Sequence, residues 1–96
     1  MIDRFDHLHI RPADFERSLA FYRDALGLEV LSRRDHEAGR YTLVFLAAPG
    51  NHEAQIELTY NWPKEDGSAE TYSGGRNFGH VAYAVDDIYA TCRRLM

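Results

Sequence analysis

The chain has a single cysteine, Cys92, which leaves no partner for an intrachain disulfide and rules out a four-cysteine or CxxC metal site. Such sparing use of cysteine fits a reducing compartment, most simply the cytoplasm. Long hydrophobic runs are missing too: no stretch approaches membrane-spanning length, and Met1-Ile2-Asp3-Arg4 lacks the apolar segment of a signal peptide. Basic residues are outnumbered, 11 Lys and Arg against 15 Asp and Glu, for a net charge of −4. That balance argues against a general nucleic-acid binder. What remains is 96 residues with 45% hydrophobic and 27% charged content, the profile of one small soluble domain. A chain this short buries only a modest core, so pairing with a second copy is a natural way to gain burial.

Period-two alternation marks the expected strands. In Phe5–Arg11, Leu8 and Ile10 fall on one face and His7, His9 and Arg11 on the other. Asp14 is placed to cap a helix in which Phe15, Leu19, Tyr22 and Leu26 recur at helical spacing, and Gly27 is placed to end it. Further strands are expected over 28–33, 40–48 and 55–62, with turns at 35–39 and 49–52. His36 and His52 fall in those turns and are read as solvated. Phe15, Leu19, Phe21, Tyr22, Leu43 and Phe45 are the expected core. Residues 63–75, rich in Gly, Ser, Glu and Asp, read as a surface loop of a length that often carries function. Another alternating stretch, 77–85, reads as a strand, and Asp86-Asp87 caps a helix running to residue 96. The fold class is therefore α+β, a β-α-β-β-β unit over residues 1–62, a loop over 63–77 and a β-α piece over 78–96.

That last piece echoes the first. Phe5-Asp6-His7-Leu8 matches Phe78-Gly79-His80-Val81, Asp14-Phe15 matches Asp87-Ile88, and Ser18 matches Thr91, all at one offset. This is the mark of a duplicated unit whose second copy, on the sequence, stops inside its helix. If the copies share a fold, His7 and His80 occupy equivalent places on their first strands.

The stretch Gln55-Ile56-Glu57-Leu58-Thr59-Tyr60-Asn61-Trp62 turns a carboxylate, Glu57, onto a polar face with Gln55, Thr59 and Asn61. A mid-strand acid between apolar neighbours needs a counter-charge, a donor or a metal if it is buried. Two imidazoles and a carboxylate, His7, His80 and Glu57, form a set suited to a divalent metal. His9 shares the face of His7 and is read as a supporting group. Cys92 is read as an unreactive thiol on the second helix.

These residues carry a resemblance. His7-Leu8-His9-Ile10-Arg11, the helix from Asp14 to Tyr22, Leu26-Gly27-Leu28, the Ile56–Trp62 run and Phe78-Gly79-His80-Val81 together resemble glyoxalase I (lactoylglutathione lyase) of the vicinal oxygen chelate superfamily. The helix and its glycine exit are common in that superfamily, whereas the Ile56–Trp62 run with Arg11 and Phe78-Gly79-His80 is more particular to the lyase. The resemblance implies βαβββ modules paired into a curved sheet that cradles a metal, with ligands at His7, Glu57 and His80. A fourth ligand, a glutamate on the last strand of a second module, has no counterpart in this sequence. Histidine at the first position resembles the nickel- or cobalt-activated bacterial type, with zinc as the other option.

The implied reaction isomerises the hemithioacetal of glutathione and methylglyoxal to S-lactoylglutathione through an enediolate, with Glu57 able to carry the proton. The resemblance gives Arg11 and Asn61 to the glutamyl end of glutathione, Arg76 to its glycyl carboxylate, and Trp62 either to closing the pocket or to capping the core. It also implies a homodimer whose sites lie at the interface, with His80 crossing from the second copy. Two other readings stay open: a ring-cleaving dioxygenase of the same superfamily, and a non-catalytic ligand-binding dimer.

Overall fold

Two tight reversals build most of the sheet. The computed structural model describes residues Met1–Met96. In it β2 (Glu29–His36), β3 (Tyr41–Ala48) and β4 (Asn51–Asn61) run as an antiparallel meander, and β1 (His7–Ile10) adds to the far side of β4 in parallel. The sheet order is β1-β4-β3-β2. The β3–β4 reversal needs only Pro49 and Gly50, because Gly50 takes φ 76°, a left-handed conformation open to glycine at no steric cost. The β2–β3 reversal is closed by Arg40 N–H donating to Glu37 O over 3.2 Å, with Arg40 itself at φ 56°. Both turns are shorter than the sequence implies, so β2 reaches His36 and β4 begins at Asn51. His36 stacks on Tyr41 across the hairpin, 4.8 Å between ring centres, and His52 Nε2 lies 2.8 Å from Glu29 Oε2. Both histidines are exposed, but in strands rather than turns.

The helix starts where expected and changes winding midway. Asp14 accepts from the Arg17 N–H over 3.2 Å, capping α1 (Phe15–Ala20). Residues Phe21–Ala25 then widen into a π turn, with Leu26 N–H reaching Phe21 O over 2.9 Å. Gly27, at φ 77°, ends it. The wider winding turns Phe21 outward, 48% exposed, so it is not a core residue as its apolar character implied; Tyr22 packs against the core instead.

That core lies on one side of the sheet. Phe15 and Leu19 of α1 cover Val44 and Leu46 of β3 and Ile56 and Leu58 of β4, with Leu28 at the edge. Phe15 also stacks on Tyr60, 4.9 Å between ring centres, and the Arg33 guanidinium sits over the other reach of its ring at 5.3 Å. Leu43 and Phe45, expected in this core, point to the opposite face and stay half-buried, because no helix covers that side.

Beyond Trp62 the packing thins. Residues 63–75 form the expected exposed loop, pinned locally by Lys64 N–H to Ser68 O (2.8 Å) and Gly67 N–H to Lys64 O (2.8 Å). Residues 77–85 do not form the expected strand: alternation supplies two faces, but no strand lies alongside to exchange ladder hydrogen bonds with them. Helix α2 (Ile88–Leu95) is capped by Asp87, and Arg94 donates to Asp24 O over 2.7 Å, tying it to the π turn. Phe78, Ile88 and Tyr89 face solvent, and Val81, Tyr83 and Val85, which stand beside Leu8, Ile56 and Leu28, still keep more than a third of their surface exposed. The consequence is measurable. The radius of gyration is 15.2 Å, where a compact domain of this length has about 12–13 Å. The accessible surface is 7760 Å², against roughly 5,600 Å² for a compact monomer of this mass.

Candidate functional site

The face of the sheet that α1 leaves open is the face on which His7 and Glu57 meet. The parallel register sets His7 beside Gln55 and His9 beside Glu57, so side chains of odd number on both strands share this side. Across the sheet, Phe45 stands opposite Glu57 and Leu43 opposite Thr59. His7 leans its ring edge on Phe45, 5.2 Å between ring centres, and brings Nε2 to 3.1 Å from Glu57 Oε2. The Glu57 side chain is only 12% exposed and that of His7 34%.

Each of the two is held from behind. Asp6 Oδ2 lies 2.7 Å from His7 Nδ1, and the Thr59 hydroxyl donates to Glu57 Oε1 over 2.7 Å. The hydrogen bond from His7 holds the Asp6 carboxyl below its usual range, with smaller help from the charges of His7 and Arg4. His7 thus stands between two carboxylates, with Asp6 on Nδ1 and Glu57 on Nε2. Protonated, it would join them as an ion pair; with its proton on Nδ1 alone, Nε2 and Glu57 Oε2 would both be open to a divalent metal beside them, which the donor set suits. Asp6 and Thr59 had no assigned role in the sequence reading. Thr59 was findable, since it sits two residues from Glu57 on the same face; Asp6 carried no periodic signal.

No third His, Cys, Asp or Glu of this chain joins His7 and Glu57 as a metal-binding group. His80 lies in the exposed, unpaired stretch after the loop and is not brought to them. His9 is exposed on the same face, two residues beyond His7. Arg11 is exposed just past the end of β1, and Arg76 is exposed in the segment before His80. Asn61, the last residue of β4, shares the face of Glu57 and donates from Nδ2 to Glu70 Oε2 over 3.1 Å. Trp62 goes the other way. Its indole N–H donates over 2.8 Å to the hydroxyl of Thr42, a residue 2% exposed on the helix side, and that hydroxyl donates over 2.8 Å to Asp35 Oδ1. Arg40 stacks near the indole at 5.9 Å and donates to Pro63 O over 2.7 Å. The geometry is that of a cap on the core rather than a wall of the site. Cys92 is exposed on α2.

The arrangement, a βαβββ unit with an imidazole on its first strand and a carboxylate on its fourth converging on the uncovered sheet face, has a counterpart among known proteins. Residues 4–96 match the Glyoxalase/Bleomycin resistance protein/Dioxygenase superfamily, and the chain belongs to that superfamily. Within it the chain is similar to lactoylglutathione lyases. It is 44% identical over 87 residues to the lactoylglutathione lyase of Haemophilus influenzae, covering 90% of this chain and 61% of that protein. It is 41% identical over 90 residues to a probable lactoylglutathione lyase of Synechocystis, covering 93% and 65%. Among solved structures, glyoxalase I from Zea mays superposes with a TM-score of 0.81 at 33% identity, over 96% of this chain and 31% of that one. The trypanothione-dependent glyoxalase I of Leishmania major gives 0.79 at 34%, over 96% and 63%. The chain thus spans a little over three fifths of the length of the curated relatives it matches. No helix is long and apolar enough to cross a membrane.

Proposed function

We propose that this chain carries half of a metal-dependent lactoylglutathione lyase site, and that two copies pair to join that half to His80. The observation that carries the reading is the approach of His7 Nε2 to Glu57 Oε2 on the open sheet face, with Asp6 and Thr59 orienting the two donors. His7 and Glu57 of one copy and His80 of the other would hold one divalent ion, nickel or cobalt in preference to zinc. When bound, that ion supplies Lewis acidity toward adjacent oxygens of the substrate. The substrate is the hemithioacetal of glutathione and methylglyoxal, and its product S-lactoylglutathione.

The residues of the chain divide the remaining work. Glu57 moves the proton between the two adjacent carbons as general base; the Thr59 hydroxyl on Oε1 fixes the carboxylate plane while it does so. Phe45 and Leu43 line the sheet face beside it and give the carboxylate an apolar flank. Arg11 and Asn61 take the carboxylate at the glutamyl end, and Arg76 takes the glycyl carboxylate. The uncovered apolar residues from Phe78 to Tyr89 support pairing with a second copy. The single cysteine and the lack of a membrane-crossing helix accord with a cytoplasmic setting.

Nickel titration by calorimetry, run with the hemithioacetal assay, tests the site. Wild type binds nickel, and Glu57→Gln and His7→Ala each weaken it at least roughly tenfold. Equal nickel affinity in wild type and Glu57→Gln removes Glu57 from the site. Sedimentation at micromolar concentration tests the pairing, and a strictly monomeric chain overturns it.

A further inference from the structure

The amide of Asn61 is engaged by a charge that the proposed function does not use. The loop after β4 turns back and sets Glu70 against it, Oε2 accepting from Asn61 Nδ2 over 3.1 Å, while Glu70 Oε1 takes no hydrogen bond from the protein. Glu70 itself is exposed, and no cationic side chain pairs with it.

The glutamyl end of glutathione is an α-amino acid head, with a carboxylate and an ammonium on one carbon. Arg11 and the second Nδ2 hydrogen of Asn61 are donors and satisfy the carboxylate. Guanidinium has no acceptor, so Arg11 cannot serve the ammonium, and Asn61 Oδ1 offers only a neutral one. Glu70, whose Oε1 takes no hydrogen bond from the protein, supplies at that amide the charged acceptor the ammonium needs.

We propose that Glu70 is a specificity-determining residue that receives the α-ammonium of the substrate's glutamyl end. Together with Arg11 and Asn61 it makes the rim complementary to the whole zwitterion rather than to its carboxylate alone. The inference rests on the lyase reading, because it takes Asn61 to be a glutathione contact. The rival role has the opposite sign: Glu70 as a stand-in carboxylate that merely competes for the Asn61 amide.

Calorimetric titration of the 96-residue chain with S-methylglutathione and with its N-acetyl derivative separates these. Wild type should prefer the free amine by roughly fivefold or more, the size of one solvent-screened charge pair. Glu70→Gln should bring the two probes to within about twofold, while Glu65→Gln, a loss of the same charge from the same loop, keeps the wild-type preference. The bulk of the acetyl group is common to all three proteins, so the change in ratio is the readout. A ratio unchanged by Glu70→Gln overturns the proposal, as does Glu70→Gln tightening both probes alike. Binding of neither probe to any of the three overturns the glutathione reading itself, and this inference with it.

Discussion

The molecule holds the same short motif twice, and the two regions treat it differently. Asp14 and Asp87 cap their helices alike: each is extended (φ −127° and −136°), each accepts from the N–H three residues on, at 3.2 and 3.1 Å, and each gives its carbonyl to the N–H four residues on, at 2.9 and 3.0 Å. Everything that three or four neighbouring residues decide is duplicated. What depends on distant partners is not. His7 stands in a strand paired with β4, whereas His80 lies in an unpaired stretch. Phe15 is buried under the sheet, while its counterpart Ile88 is 57% exposed. A cap is a local property of sequence, but a strand and a core belong to an assembly of segments.

The comparison breaks most visibly in the core. Leu58, fully buried between β3 and α1, should cost about 3–4 kcal/mol on Leu58→Ala in urea denaturation. Val85→Ala, in the second region and 44% exposed, should cost under about 1 kcal/mol. A comparable loss at both positions would mean that the two regions are equally packed in solution. The caps come next. Asp14→Ala should lower stability by about 1 kcal/mol, because α1 is part of the core. Asp87→Ala should leave the unfolding midpoint in place and show itself only as faster amide exchange along α2. An equal midpoint shift would show α2 coupled to global unfolding.

The smallest effect lies in the loop. The Ser68 hydroxyl, followed by the Ser68 N–H, holds the Asp66 carboxyl below the ordinary 3.8. A carboxyl depressed in the folded state contributes stability that is fully present above its unfolded value and fades as pH falls through the folded one. The Asp66 resonance should therefore titrate below 3.8, return toward it in Ser68→Ala, and leave stability at neutral pH nearly unchanged.

Legibility in the sequence follows the same division. Alternation along β4 put Glu57 on the face opposite Ile56 and Leu58, and the structure keeps that parity. Asp14 and Gly27 marked the helix limits because capping and left-handed backbone are local. The π turn carried no signature, since one hydrogen-bond slip of register leaves the apolar spacing almost intact. Trp62 was open between closing the pocket and capping the core, and the strand's own alternation sends it to the face opposite Asn61, amide to the site and indole to Thr42. Asp6 against His7 and Glu70 against Asn61 are tertiary facts of flanking segments, for which periodicity has nothing to say.

One feature of the sheet bears on how the protein reaches its folded form. β1 is joined to β4 in parallel, so His7 and Glu57 meet across roughly fifty residues of chain, while β2, β3 and β4 pair through reversals of a few residues. Loop-closure entropy sets the order of these events: the meander can form early, and the β1–β4 ladder closes the longest loop of the unit. The His7–Glu57 approach is therefore also a reporter. A probe that reads it during refolding dates the last stitch of the sheet, and substitutions that loosen β1 should slow the appearance of the half-site before they disturb the hairpins beneath it.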